Sequence, residues 1–240
     1  MANGITGGNE AIVHTLRDAS EAMETNGYVI LTIDASNAFN CIDRRLALET
    51  MHDKIPELYL TSLNTYGSPS YTVINGIKHP VEQGTSQGCP HAGSFFNVGF
   101  ANLVDSLSDD IVVKHMWFFD DGYCYGPANQ VMAFWNFIKT NGPRFGYFVN
   151  SISWVYDTNE NNHHKWTNAG LSVSSQGLEV LGAPIGSPIL IEEFSSEKFS
   201  NISSIIDKLS KIAKLHPQHS FATFLKSTKH KATYLARTIK

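Results

Sequence analysis

The segment KHMWFFDDGYCYG, residues 114–126, places two adjacent carboxylates, Asp120 and Asp121, between two apolar and aromatic runs. Both runs have the composition of β-strands, and Asp-Gly between such runs is a strong hairpin signal. One interpretation is therefore an ordinary turn, because Asp tolerates turn geometry well. The other is that the turn presents carboxylates to a divalent metal ion. The remaining sequence bears on this choice.

The chain has 240 residues, of which 42% are hydrophobic and 17% charged. This composition is globular and sufficient for one good-sized core. Three isolated cysteines predict neither a disulfide framework nor a zinc site, and they favour an intracellular compartment, either nucleus or cytoplasm. The N-terminus lacks a signal-peptide pattern, and no apolar run approaches membrane-spanning length, so no membrane partner is expected.

The net charge of −4 is unevenly distributed along the chain. Eight of the 18 basic residues lie within 208–240, a stretch without any acidic residue. The other ten basic residues share the rest of the chain with all 22 acidic ones. The basic tail is either a solvated helix face or an element that contacts phosphates.

Hydrophobic periodicity predicts an α/β (α+β) fold, in which helices cover one face of a small, mostly antiparallel sheet. The strand 27–34 is apolar throughout and ends at Asp34, while Asn75-Gly76 marks a hairpin turn. The segment 157–172 is expected to be a mobile loop. Further strands are predicted around the Asp120-Asp121 pair and at 145–157 and 178–190. The predicted helices are 9–25, 35–66 in two pieces broken near Pro56, one after Pro90, 128–140, 192–215 and 218–238.

Two other segments can join the Asp120-Asp121 pair in a site. TIDASNAFN (32–40) puts Asp34 at the end of a buried strand, although Asp34 could equally cap the next helix. EQGTSQGCP (82–90) is a glycine-containing loop whose amides could approach a ligand, or an ordinary connection. Carboxylates held together repel unless cations lie between them, and Mg²⁺ prefers oxygen ligands. Such a site requires the strands that end at 34 and 119 to be neighbours in the sheet.

Six segments, in order along the chain, resemble the motifs of the reverse transcriptase palm, with the closest likeness to non-LTR-type retroelements. They are GGNEAIVH (7–14), DASNAFN (34–40, motif A), QGTSQGCP (83–90, motif B), FFDDG (118–122, motif C), FGYFVNSISW (145–154, motif D) and LEVLGAPIGS (178–187, motif E). The resemblance implies a palm core at 1–191 with a residual fingers-side helix at 9–25. It also implies a helical, basic, thumb-proximal segment at 192–240, so that complete fingers and thumb are missing.

The resemblance also implies a reaction and its residues. A primer 3′-oxygen would attack the α-phosphate of a dNTP on an RNA template, with two Mg²⁺ ions, or Mn²⁺, as cofactors. Further domains of the same element, an endonuclease or RNase H, are implied partners. The catalytic acids would be Asp34, Asp120 and Asp121, which with the Ala35 carbonyl would bind metal. The nucleotide would contact Ala38, Phe39, Gln87 and Gly88. Primer and template would contact Phe118, Phe119, Leu181, Gly182, Lys226, Lys229 and Lys231.

The sequence departs from the family pattern at two positions. Cys89 stands where motif B usually has Asp, and Ser153 stands where motif D usually has a Lys associated with protonating the leaving pyrophosphate. Two alternatives therefore stay open: a non-catalytic module that keeps the palm as a binding scaffold, and an RNA-dependent RNA polymerase palm. Phe39 argues against the latter if it is the steric gate that crowds a 2′-hydroxyl, but Phe39 is also consistent with a plain core residue.

Overall fold

The computed structural model describes residues 4–86 and 88–239. The helices are α1 (Gly8–Glu21), α2 (Met23–Asn26), α3 (Ala38–Cys41), α4 (Arg44–Lys54), α5 (Pro56–Tyr66), α6 (Ala92–Asp105), α7 (Ala128–Asn141), α8 (His163–Asn168), α9 (Pro188–Ala213), α10 (Pro217–Thr223) and α11 (Lys229–Thr238). The strands are β1 (Tyr28–Ile33), β2 (Ser70–Ile74), β3 (Ile77–Val81), β4 (Lys114–Phe118), β5 (Asp121–Pro127), β6 (Trp154–Tyr156), β7 (Ser172–Ser174), β8 (Gly177–Val180) and β9 (Ala183–Gly186).

A five-stranded sheet in the order β4-β5-β1-β6-β7 forms the centre of the fold. Its strands pair antiparallel except for β6 and β7. The predicted mixed fold with a small, mostly antiparallel sheet is confirmed. Two two-stranded hairpins, β2-β3 and β8-β9, stand outside this sheet.

The central strand β1 is apolar except at Thr32, because both faces of the sheet are covered. Leu31 and Ile33 face a large core shared with α6 and α7, which contribute Phe100 and Trp135 among others. Ile30 faces a second core, built from α1 and the β8-β9 hairpin. The second face of the sheet is thus closed by α1 and the β8-β9 hairpin, together with Met23 of α2.

Two predicted local features are confirmed, and one is wrong. The β2-β3 hairpin turns at Asn75-Gly76, and both residues have positive φ, as a two-residue hairpin loop requires. The predicted break near Pro56 lies where α5 begins, although the segment 35–66 forms three helices, α3, α4 and α5, where two pieces were predicted. By contrast, 157–172 is not a featureless loop, because it contains α8. Trp166 on α8 is buried and donates its indole N–H to the buried carboxylate of Asp157 at 2.8 Å.

The C-terminal helices fold back onto the body of the protein. The Ser187 side chain caps the 26-residue α9 at its N-terminus, and α10 and α11 return along it through a π-helical turn at Phe224–Thr228. The buried Arg17 of α1 donates to the Thr238 carbonyl at the end of α11. The predicted helices at 192–215 and 218–238 are confirmed as helical segments. The first is α9, and the second is divided into α10, the π-helical turn and α11. Since α9 crosses residues 191 and 192, the division of the chain there stays a prediction.

No helix within the described part of the chain is both long enough and apolar enough to cross a membrane.

Candidate active site

Strand pairing brings Asp34 beside Asp121. In the antiparallel pair β1-β5, Ile33 is opposite Gly122. Asp34 follows Ile33 and Asp121 precedes Gly122, so these two acids lie beside each other at the same end of the sheet. The expected neighbour of β1 was the strand that ends before residue 119, but that strand, β4, lies on the far side of β5. The acid nearest to Asp34 in register is therefore Asp121, the first residue of β5.

The turn that carries Asp120 consists of Phe119 and Asp120. Phe118 pairs with Asp121, which leaves those two residues as the loop between β4 and β5. The interpretation of Asp121-Gly122 as the turn is wrong, since both residues lie inside β5. Gly122 is needed for another reason: a Cβ at this position would come within 2.4 Å of the Trp117 ring on β4.

Aromatic contacts hold the turn in a strained conformation. Phe119 has a φ of +53°, which is unusual for a bulky side chain. Its ring lies 5.2 Å from the Phe118 ring and 5.6 Å from the Phe39 ring. It also lies over Gly93, where a Cβ would come within 3.1 Å of it. The buried Tyr147 donates its hydroxyl to the Asp120 carbonyl at 2.7 Å.

The backbone around Asp34 is held by the segment 148–153. The Asp34 N–H donates to the Ser153 hydroxyl at 3.1 Å, and the Asn150 N–H donates to the Asp34 carbonyl at 2.7 Å. Ser153 is fully buried, so this hydroxyl supports the backbone of Asp34. Asp34 is not a helix cap either, because the residue that precedes α3 is Asn37.

The three carboxylates, named here the carboxylate cluster (Asp34, Asp120 and Asp121), repel one another. Burial, followed by the charges of Asp120 and Asp34, raises the pKa of Asp121 from its ordinary 3.8 to about 6. Burial also raises the pKa of Asp120, a backbone hydrogen bond at Asp120 partly offsets this, and the charge of Asp34 raises it further. A cation between them would relieve this repulsion.

The chemistry of the carboxylate cluster suits a hard divalent cation, since carboxylate oxygen is the donor that Mg²⁺ prefers. Within residues 4–86 and 88–239, however, no three His, Cys, Asp or Glu side chains are grouped closely enough to hold a metal ion. The carboxylates are thus near enough for their charges to raise the pKa of Asp120 and Asp121, but they would have to close further around an ion. Ala35 is buried next to the cluster.

Among the residues predicted to contact the nucleotide, Phe39 lies beside this turn, with its ring 5.6 Å from the Phe119 ring. Phe39 is half-buried and stacks on Phe96, with ring centres 4.3 Å apart and planes 16° from parallel. Ala38 is buried and Gly88 is exposed. Gln87 lies outside the described residues.

The motif B loop is fastened to the helix that carries Phe39. The Thr85 N–H donates to the Phe39 carbonyl at 2.6 Å. Gly84 lies so close to α3 that a Cβ there would be 2.1 Å from the Asn40 carbonyl oxygen. The guanidinium of Arg44, which is buried, donates to the carbonyls of Gly84 at 2.7 Å and Val81 at 2.9 Å.

The residues predicted to contact primer and template fall into two groups. Phe118 is the last residue of β4, and Phe119 is the first residue of the carboxylate turn. Leu181 and Gly182 form the tip of the β8-β9 hairpin, both with positive φ. Tyr234 of α11 donates to the Leu181 carbonyl at 2.5 Å, so α11 covers this tip. The three predicted lysines are exposed on the π-helical turn and α11: Lys226, Lys229 and Lys231.

Sequence reasoning missed the buried residues that support the site. Tyr147 lies within the motif D segment, but nothing in the sequence shows that its hydroxyl reaches a residue 27 positions earlier. Arg44 is the second residue of the sequence Asp-Arg-Arg at 43–45, which is typical of an exposed helix start. Only the charge of Arg44 combined with its burial reveals its role.

A mostly antiparallel sheet that gathers one carboxylate from a central strand and two from an adjacent hairpin is the arrangement of a nucleic-acid polymerase palm. A family described as reverse transcriptase (RNA-dependent DNA polymerase) matches residues 9–151 of this chain. This match covers more than half of the chain and includes the whole carboxylate cluster. The chain therefore belongs to the reverse transcriptase family, as its motifs predicted.

Solved structures with a similar fold include two of telomerase from Candida tropicalis. The complex with a TWJ fragment of telomeric RNA has a TM-score of 0.56 at 12% identity, covering 76% of this chain and 32% of that one. The apo form truncated from the C-terminal domain has a TM-score of 0.54 at 13% identity, covering 75% and 38%. At this identity the likeness concerns the fold. The chain spans about a third of the length of these proteins.

Proposed function

We propose that this chain is the palm core of an RNA-directed DNA polymerase of a non-LTR-type retroelement. It would join a dNTP to the 3′-hydroxyl of a DNA primer on an RNA template. The observation that carries the proposal is the meeting of Asp34 with Asp120 and Asp121 at one end of the central sheet. Membership of the reverse transcriptase family supports the reaction class.

Asp34, Asp120 and Asp121 would hold two divalent cations, Mg²⁺ or Mn²⁺, together with the carbonyl of Ala35. When bound, such ions activate the attacking oxygen and neutralise charge on the phosphates. The donor set supports this role, because burial and neighbouring charge raise the pKa of Asp120 and Asp121, and a cation would stabilise both as anions. The segment 148–153 would keep the Asp34 backbone fixed while the side chains close.

Phe39 would select the sugar of the incoming nucleotide. Its ring is stacked on Phe96 and braced by Phe119, so it is a rigid surface next to the carboxylate turn. A rigid ring in this place would crowd a 2′-hydroxyl and favour dNTPs, which argues for a DNA polymerase over an RNA polymerase. Ala38 and the Gln87-Gly88 pair would complete the nucleotide site.

Primer and template would contact the remaining predicted residues. Phe118 and Phe119 directly precede the Asp120-Asp121 pair, and Leu181-Gly182 would meet the primer at the tip of the β8-β9 hairpin. The exposed Lys226, Lys229 and Lys231 are free to approach phosphates. An intracellular location, in nucleus or cytoplasm, and further domains with endonuclease or RNase H activity belong to the same proposal.

A non-catalytic scaffold is the second candidate function. It is favoured by Ser153, which stands at the family's Lys position but is fully buried under Asp34. It therefore supplies no proton donor to a leaving pyrophosphate. It is also favoured by the open arrangement of the described acidic residues, of which no three are grouped tightly enough for a metal ion.

Primer extension distinguishes the two functions. The protein that carries this chain is supplied with an RNA template, a DNA primer, dNTPs and Mg²⁺, beside its Asp120→Asn variant. We expect extension by the native protein and a loss of about a hundredfold or more in the variant, in line with removal of one preorganised electrostatic group. Asp18→Asn, a change of the exposed face of α1, is the matched control. Equal extension with and without Asp120 would refute the proposed function.

A further inference from the structure

Tyr147 is a fully buried tyrosine with a specific hydrogen bond to the carboxylate turn. Its ring lies 4.8 Å from the Phe100 ring and edge-on to Trp117 at 6.0 Å. Its hydroxyl donates to the Asp120 carbonyl at 2.7 Å. Burial, reinforced by the charges of the carboxylate cluster, raises the pKa of Tyr147 well above its ordinary value, so the hydroxyl keeps its proton and remains a donor.

The group that Tyr147 holds is the peptide between the two adjacent acids. This peptide has Asp120 at one end and Asp121 at the other, so its orientation sets the starting direction of both side chains. The Phe119-Asp120 loop lies outside the β4-β5 pairing. The strained φ of Phe119 adds to the need for a restraint. The Tyr147 hydrogen bond supplies a restraint at this point.

The chain segment that contains Tyr147 also contacts the segment that carries Asp34. Residues 146–153, named here the brace, contact that segment through an Ala35–Val149 bridge and the Ser153–Asp34 hydrogen bond. At its start, Gly146 has a φ of +78° and lies so close to the end of α3 that a Cβ would be 1.9 Å from the Cys41 carbonyl oxygen. The brace therefore joins both halves of the carboxylate cluster through buried contacts.

We propose that Tyr147 is a positioning residue, which holds the Asp120-Asp121 peptide so that these carboxylates can close with Asp34 around a shared divalent cation. The proposal rests on the proposed function for the identity of the ligand. The hydroxyl acts through Asp120 and need not touch a substrate. The ring of Tyr147, by contrast, serves the core.

The test separates the hydroxyl from the ring. Tyr147→Phe removes only the hydroxyl, whereas Tyr147→Leu also removes the ring. Tyr125→Phe, at a half-buried tyrosine further along β5, is the matched control. Binding of Mn²⁺ alone is followed by electron paramagnetic resonance. We expect Tyr147→Phe to weaken Mn²⁺ binding about tenfold, as is usual for a group that orients a metal ligand, and Tyr125→Phe to leave it unchanged. Native affinity in Tyr147→Phe with a loss only in Tyr147→Leu would overturn the proposal, because the ring alone would then matter.

A second measurement keeps the positioning role separate from the proposed function. Amide hydrogen exchange is recorded by NMR on the metal-free protein at residues 119–122. We expect at least tenfold faster exchange at these amides in Tyr147→Phe, with no change in Tyr125→Phe. If the native protein binds no Mn²⁺ through Asp34, the proposed function fails, but the exchange result still decides whether Tyr147 restrains the turn. Unchanged exchange would overturn that restraint.

Discussion

Replacing Asp121 with Asn measures what the ionised carboxylate costs the fold through its burial and through the repulsion within the carboxylate cluster. The change removes one negative charge and keeps nearly the same shape. In the native fold the pKa of Asp121 is about 6, against an ordinary value of 3.8, because of burial and the charges of Asp120 and Asp34. The folded state thus binds a proton more tightly than the unfolded state does. Between about pH 4 and pH 6 stability falls as pH rises, and the loss persists above pH 6.

The size of the effect follows from that difference in pKa. The rise in the pKa of Asp121 from 3.8 to about 6 corresponds to a loss of folding stability of at most about 3 kcal/mol. Asp121 is partly exposed, and solvent screening reduces interactions of this kind, so we expect about 1 kcal/mol. Asp121→Asn should therefore be more stable than the native protein by about 1 kcal/mol at pH 7.5, with the difference vanishing near pH 4.

Urea unfolding with a metal chelator present, at several pH values between 4 and 7.5, measures this difference. Asp18→Asn on the exposed face of α1 is the control, and its stability relative to the native protein should change little over the same range. Added Mg²⁺ should stabilise the native protein more than Asp121→Asn, since a ligand that binds only the folded state raises its stability. A variant that is less stable at pH 7.5, or a difference independent of pH, would refute the reasoning.

Three other substitutions test the supports of the site. Gly122→Ala should lower the free energy of unfolding by about 1–3 kcal/mol in urea titration, because its Cβ meets the Trp117 ring; an unchanged midpoint would contradict this packing. Ser153→Ala should cost about 1–2 kcal/mol by the same assay, because the Asp34 N–H loses its acceptor, while a neutral effect would mean that another group replaces the hydroxyl. Phe39→Ala should increase the ratio of ribonucleotide to deoxyribonucleotide incorporation in primer extension, and an unaltered ratio would rule out a steric gate at this position.

Much of the fold could be predicted because the deciding signals are local. The continuous apolar run of β1 indicates a strand covered on both faces, and Asn75-Gly76 has the positive φ values that its hairpin needs. The helical spacing of residues 192–215 likewise gives α9. The polar composition of the segment 157–172 predicts a loop, but the segment contains α8, whose buried Trp166 donates a hydrogen bond to Asp157.

The position of the carboxylate turn could not be read from the sequence. Asp121-Gly122 has the local signature of a hairpin loop, but Gly122 pairs with Ile33 of β1 and Trp117 of β4 and so lies inside β5. The turn then falls on Phe119, a residue that disfavours positive φ and is held there by ring packing. Tertiary contacts thus override the local preference.

The candidate site was predictable in its acids and unpredictable in its supports. The order of the motifs identifies Asp34, Asp120 and Asp121 as the acidic residues, and strand pairing brings Asp34 and Asp121 together. By contrast, Tyr147 and Arg44 act through hydrogen bonds to backbone carbonyls far away in the chain, one for Tyr147 and two for Arg44. Such bonds leave no periodicity or motif, so only coordinates reveal them.

The most direct measurement of the central claim is a calorimetric titration of Mn²⁺ into the native protein and into Asp34→Asn. If acids from β1 and from the β4-β5 turn serve a common ion, the native protein binds Mn²⁺ and the variant loses at least tenfold in affinity while it remains folded. An identical binding isotherm for both proteins would show that Asp34 and the Asp120-Asp121 pair do not act together.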